Sequence, residues 1–270
     1  MTPQKPDRAE NGYDVCIVHL ADARYYPLFA RQAMALRDAG YRVVLVSWTA
    51  HPDQPLPQWP GVDVVPVVVK AQSFNGKSFF LRYSLRLTLT LLRLRARLYQ
   101  SVDPVTLPAC RLAAAWHHTR YNYFSLEYFQ GADQLVGRPL MRLLWYHIEK
   151  KGVAHSRNTA VICRRTADRL HDLLPIGTPH VVYNVPPAAD YTGVSGDGAL
   201  RRACGLDEHA RIIVYKGDIA ASRGLTPCIR ALPAVRTMHL ALVGDGPYRE
   251  EVERLAREYD VAERVHVLGR

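Results

Sequence analysis

The chain has 270 residues, 48% hydrophobic and 22% charged, with a net charge of +10. That composition excludes a disordered chain, and no run approaches the ~18 consecutive apolar residues of a membrane span. The length fits one large domain, or one and a half ordinary ones, with a sizeable core.

Along the chain, Val15 to Leu20 and Arg42 to Val46 are short β-branched runs. Between them Leu28, Ala33, Leu36 and Ala39 fall at helical spacing before Gly40, predicting strand, helix, strand. After a proline-rich loop, Val62 to Val69 is continuously apolar, which suits a strand covered on both faces. Phe79 to Tyr99 reads as a basic amphipathic helix, with Arg82, Arg86, Arg93 and Arg97 in one stripe among leucines. Such a helix could lie on an anionic bilayer or serve as a domain helix with one solvated edge. Ala160 to Cys163 and Pro179 to Tyr183 read as buried strands around a helix from Thr166 to Leu174.

The stretch from Pro186 to about Gly205, rich in Pro, Gly, Ser and Asp, reads as a linker. Beyond it, strands at Arg211 to Tyr215, His239 to Val243 and Val265 to Leu268 alternate with helices at Gly224 to Arg236 and Tyr248 to Tyr259. This βαβαβ pattern is about half of a doubly wound domain. The expected organisation is therefore two Rossmann-like α/β domains, residues 1–190 and an incomplete 191–270.

Five scattered cysteines without a Cys-x-x-Cys pair argue against a disulfide framework or structural zinc. The polar residues 1–11 lack the apolar segment of a secretory signal, so the expectation is cytoplasmic, with peripheral attachment to the inner membrane face as an extension. Residues 191–270 hold 12 basic and 11 acidic side chains against 23 and 14 before them, so the first part would favour an anionic partner. No histidine spacing suggests a metal, and no aromatic or recognition-helix pattern suggests nucleic acid.

Two segments point to phosphate chemistry. In Val214-Tyr-Lys-Gly217-Asp218, followed by Ser222-Arg223-Gly224, a strand-end glycine would let a ligand approach the backbone. The helix that follows would offer free N–H groups, and Arg223 a bidentate fork. In Leu242-Val-Gly244-Asp245-Gly246-Pro247, a strand ends in a glycine turn, with Pro247 as the first helical residue. Arg249 stands where a third glycine would complete a dinucleotide fingerprint, which disfavours a nicotinamide cofactor. Each turn has an equally plain reading as a tight βα connection.

Together, Tyr-Lys-Gly-Asp-Ile, Arg-Gly-Leu, Leu-Ala-Leu-Val-Gly-Asp-Gly-Pro and Arg-Val-His-Val-Leu-Gly, in that order, resemble the opening of the nucleotide-sugar domain of family 4 (group 1) GT-B glycosyltransferases. Asp22-Ala-Arg24, Asp103-Pro104, Ser125-Leu-Glu127-Tyr-Phe and Val182-Tyr-Asn184-Val-Pro are similar, more loosely, to that family's acceptor domain.

The resemblance implies transfer of a sugar, with retention, from a nucleotide diphosphate sugar to a saccharide or lipid-linked acceptor, without metal or other cofactor. It places Gly217, Asp218, Gly224, Gly244, Asp245 and Gly246 around the donor. Arg223 and Glu127 would be catalytic, and Asp22, Arg24 and Asp103 would face the acceptor, although Asp22, Arg24, Asp103 and Glu127, each taken alone, are more readily structural ion-pair members or turn formers. Asn184 reads as a hinge or strand-end residue. Two departures stand out: Asp218 where many relatives have arginine, and Leu126 where many have histidine. The family's pair of glutamates spaced eight apart lies beyond the last residue. A noncatalytic binding or membrane-associated module, or a nucleotide-sugar epimerase, are the competing readings.

Overall fold

A computed structural model describes residues 12–24, 27–70, 77–132, 135–185 and 198–269. The chain divides into two compact units, Met1–Pro186 and Pro187–Arg270. Both are α/β with parallel sheets.

Unit 1 is built on a seven-stranded sheet. Its strands are β1 (Tyr13–His19), β2 (Val43–Thr49), β3 (Val62–Val68), β4 (Ala96–Val102), β5 (Arg120–Ser125), β6 (Thr159–Val161) and β7 (His180–Val181). They lie in the order β3-β2-β1-β4-β5-β6-β7, every pair parallel. Parallel strands need crossover helices, here α1 (Pro27–Asp38), α2 (Lys77–Arg93), α3 (Asp103–Trp116), α4 (Pro139–Val153) and α5 (Arg164–Leu173).

The two-residue period of a strand sends alternate side chains to opposite faces. Val15 and Ile17 with Val43 and Leu45 pack against Phe29 and Ala33 of α1. Cys16 and Val18 with Val44 and Val46 join Tyr83 and Leu87 of α2, Leu107 of α3, Val153 of α4 and Leu170 of α5 in the larger core on the other face. The division goes with the strand order, in which the chain winds outward through β2 and β3, then returns to β4 beside β1. The direction of winding reverses between β1 and β4, so their C-terminal ends flank the crevice where open α/β sheets take ligands.

Several expectations need correction. The helix read across Phe79 to Tyr99 ends at Arg93, and Ala96–Val102 is a strand. Arg97 is therefore not on the basic stripe; it lies 3.7 Å from Asp14. β3 is an edge strand with Asp63 and Pro66 exposed, not one covered on both faces; Pro66, which cannot donate to a ladder, marks it as such. The segment read as a linker contains helix α6 (Ala199–Ala203).

In unit 2, β8 (Arg211–Lys216), β9 (Met238–Val243) and β10 (Val265–Gly269) form a sheet ordered β10-β9-β8. Helices α7 (Leu225–Ala231) and α8 (Arg249–Glu258) cover it, with Leu225, Ile229, Val252 and Leu255 packing on Leu240 and Leu242. Helix α8 begins two residues after Pro247, with Tyr248 at its cap, so the proline precedes the helix instead of opening it. Helix α7 is shorter than expected, giving way to a 3₁₀ turn at Leu232–Ala234 that contains Pro233.

The β8 and β9 connections are zipped together by backbone. Gly217 N–H donates to Val243 O at 3.0 Å, Ile219 N–H to Asp245 O at 3.0 Å and Tyr248 N–H to Ile219 O at 3.1 Å. At Gly244, where φ is +155°, a Cβ would lie 1.9 Å from the Gly217 carbonyl oxygen; at Gly246 it would lie 2.4 Å from that of Ile219. Gly244→Ala should therefore destabilise unit 2 by roughly 3 kcal/mol or more. Gly224→Ala, at φ +72° but with open space around it, should cost only about 1 kcal/mol. Hydrogen exchange of the β8 and β9 amides measures both, and equal protection in the two variants would contradict the zipper.

Candidate functional site

The C-terminal ends of the unit 1 strands carry its polar residues. At the end of β1, Arg24 grips Asp22 with two nitrogens, Nε to Oδ1 at 2.8 Å and Nη2 to Oδ2 at 2.6 Å. The Thr49 hydroxyl at the end of β2 donates to the same carboxylate at 2.9 Å. Arg24 also reaches Gln54 Oε1 at 3.0 Å. Burial pushes the Asp22 carboxyl up, but the hydrogen bonds from Arg24 and Thr49 outweigh it and hold the group below its usual range. Asp22 and Arg24 thus form one fixed ion pair tying the β1 and β2 loops together.

His19, at the end of β1, was not singled out from sequence. It is buried with its ring 4.0 Å from that of Phe29, and burial pulls its pKa down to about 3. The imidazole is neutral at physiological pH. A lone histidine closing an apolar strand gave no pattern by which to find it.

Across the crevice, Asp103 opens α3 in a left-handed conformation, φ +60°, which Asp tolerates better than most residues. Its Oδ1 accepts the Leu126 N–H at 3.1 Å, joining the ends of β4 and β5. Burial lifts its carboxyl to about 7; the Leu126 N–H opposes the shift, and the charges of Glu127 and Glu149 add to it. Leu126 itself packs on the α1-side core, so this position is apolar in environment as well as identity.

Asp103 is one of several anchors for the segment that displays Glu127. The Ser125 hydroxyl donates to the Glu127 carbonyl at 2.8 Å, and Phe129 packs edge-on to Trp145 with centroids 5.5 Å apart. Below them, Glu149 of α4 is fully buried and accepts Tyr123 Oη–H at 2.6 Å and Gln130 Nε2–H at 3.1 Å. Burial raises the Glu149 carboxyl despite those two donors. The Glu127 side chain is exposed, at the outer end of a strand-end turn fixed from beneath. Sequence reading found Glu127 and Asp103 but not Glu149, which sits among apolar residues of a helix that was not predicted. Asn184 accepts Arg31 Nη2–H at 2.9 Å, which fastens the segment after β7 to α1.

In unit 2 the zipped turns account for Gly244 and Gly246 by backbone contact alone. Gly217, at φ +154°, lies against the Tyr215 ring, whose hydroxyl donates to Asp218 O at 2.7 Å. Asp245 is exposed and its Oδ1 accepts the Gly246 N–H at 2.8 Å. Helix α7 does not follow Gly217 directly: a 3₁₀ turn at Ala221–Arg223 intervenes, and Gly224 caps α7 at φ +72°. Arg223 is exposed, and its guanidinium makes no hydrogen bond or ion pair among the described residues. Lys216 at the preceding strand end is exposed, as are Asp218 and Asp245 on the two turns. No cluster of three metal-binding side chains occurs among the described residues.

Two outcomes follow for unit 1. Because the fold raises Asp103 above its unfolded value of about 3.9, the native state holds a proton there that the unfolded chain has released between about pH 4 and 7, and stability falls as pH rises through that window. Asp103→Asn should flatten that fall and exceed the parent by roughly 1–2 kcal/mol at pH 8, read from thermal melts across pH. Glu149→Ala should cost roughly 2–4 kcal/mol in urea unfolding, because the Tyr123 hydroxyl and Gln130 amide lose their acceptor.

Comparison with known proteins matches residues 27–186 to the glycosyl transferase 4-like domain family. The lipopolysaccharide core biosynthesis glycosyltransferase LpsD of Rhizobium meliloti is 38% identical over 60 residues, which are 22% of this chain and only 18% of that protein. Among solved structures, sucrose-phosphate synthase from Thermosynechococcus elongatus superposes with a TM-score of 0.75 at 15% identity, over 95% of this chain and 70% of that one. Anabaena HepE, solved in complex with UDP-glucose, gives 0.68 at 14% identity, over 95% and 69%. The fold is that of the GT-B glycosyltransferases, and by its match over most of unit 1 the chain belongs to the glycosyl transferase 4-like domain family.

Proposed function

We propose that the protein transfers a sugar, with retention, from a nucleotide diphosphate sugar to a saccharide or lipid-linked acceptor. Unit 2 takes the donor and unit 1 the acceptor. Family membership supports sugar transfer, and the observation that carries the donor reading is Arg223: an exposed guanidinium with no side-chain hydrogen bond or ion pair among the described residues, on the connection that leaves the zipped Gly217 turn. An arginine without an ion pair among the described residues, beside a hydrogen-bonded glycine turn, can bind an anion without first breaking such a pair.

The chemistry places its demand on the leaving group. As the bond to the anomeric carbon breaks, the sugar gains oxocarbenium character and negative charge collects on the departing diphosphate. A guanidinium meets that charge without a metal. Gly217, Asp218, Gly224, Gly244, Asp245 and Gly246 form the setting of the donor in this reading. Glu127 is the catalytic carboxylate on the acceptor side, held out on its anchored turn. Asp103 and the Asp22–Arg24 pair border the acceptor.

Calorimetric titration with UDP, GDP and their sugars tests the donor site. Arg223→Ala should weaken diphosphate binding by roughly 1.5–3 kcal/mol, about 10- to 150-fold. Equal affinity of variant and parent would remove Arg223 from the site. Incubation with labelled donor should yield label on acceptor; epimerised free donor would favour an epimerase, and donor binding without turnover a noncatalytic module.

A further inference from the structure

On one face of unit 1, α2 packs against α3 and α3 against α4, so their outward sides form one continuous surface. Helix α2 buries Phe79, Tyr83, Leu87 and Leu91 yet also exposes Leu81, Leu85 and Leu89, the first of them 73% accessible. Helix α3 exposes Leu112 and Trp116, the latter 67% accessible. Helix α4 exposes Leu140, Leu143 and Leu144. Single exposed leucines are ordinary, but rows of them on three adjoining helices are not.

The charge on this surface has one sign. Arg82, Arg86 and Arg93 run beside the α2 leucine row, Arg111 lies on α3, and Arg142, Lys150 and Lys151 on α4, all exposed. The three helices carry only two carboxylates, and both turn inward: Asp103 onto the Leu126 N–H, Glu149 onto Tyr123 and Gln130. A protein partner of ordinary mixed charge would find no cation acceptor here. Leucine rows and a tryptophan edged by long cationic stems match the boundary between acyl chains and anionic headgroups, where arginine and lysine place their stems in the apolar layer and their charge among phosphates. No helix among the described residues is long and apolar enough to cross a membrane, so the fit is to lying on the surface.

We infer that the outward face of α2, α3 and α4 is a docking surface for an anionic lipid bilayer. The inference is independent of the sugar-transfer reading, because its test reads vesicle binding and not turnover. It replaces the single-helix arginine stripe expected from sequence, which lost Arg97 to β4, with a face shared by three helices.

Flotation of the chain with phosphatidylcholine vesicles, alone or containing phosphatidylglycerol, tests it. The parent should float with the anionic vesicles, stay behind with the neutral ones, and be released by high salt. Trp116 emission should shift to the blue on binding, a shift that Trp116→Phe abolishes. Arg82→Ala and Arg93→Ala should each weaken binding roughly fivefold. Combined Leu85→Glu, Leu112→Glu and Leu144→Glu should eliminate it while leaving circular dichroism and thermal unfolding unchanged, since all three leucines are exposed. The inference fails if the parent ignores anionic vesicles, or if the folded triple variant floats as well as the parent. It also fails if the face instead joins two copies of the chain, seen as a dimer in sizing that the triple variant dissociates, without vesicle binding.

Discussion

The Leu126 N–H that rests on the half-buried Asp103 carboxyl fixes the ligand-facing edge of unit 1. Parallel strands end without a hairpin to hold them, so each strand-end turn must be fastened by something else. Here Asp103 bridges β4 to β5, the Asp22–Arg24 pair with Thr49 bridges β1 to β2, and Glu149 supports the β5 turn from below. Removing such an acceptor leaves a polar donor in an apolar setting, which costs more than the bond itself contributes. At these three fastenings the polar groups are satisfied by one another.

Unit 2 solves the same problem with backbone. Its two βα turns approach so closely that Gly244 has no room for a side chain, and main-chain hydrogen bonds take the place of carboxylates. Two of the four glycines that look like ligand contacts are thus required by the approach of one turn to the other. The contrast also explains why Arg223 stands out: nothing in the zipper needs its charge.

Much of the fold was legible because β-branched runs followed by helical spacing are strong local signals; β1, α1, β2, β6, α5, β8, β9, α8 and β10 all announce themselves this way. What escaped had physical reasons. Nothing breaks the helical period between Arg93 and Ala96, no glycine and no proline, so β4 was absorbed into the preceding helix; what shapes that corner is long-range, including Tyr99, whose hydroxyl donates to Leu94 O at 2.7 Å. β5 reads Arg-Tyr-Asn-Tyr-Phe-Ser, where burial of tyrosines is decided by Glu149 and Gly152 some 26 to 31 residues away. At the site, Asp103 and Glu127 were visible as strand-end carboxylates, but Glu149 and His19 matter through burial, a property of the folded neighbourhood and not of local spacing.

Pro66 has a bearing beyond the placement of β3. An edge strand is an invitation to further strands, and a chain crowded with copies of itself risks joining them edge to edge. At one margin of the large sheet the proline withholds an N–H; at the other, β7 is two residues long and offers almost nothing to template upon. Protection against aggregation is thereby built into both rims of unit 1.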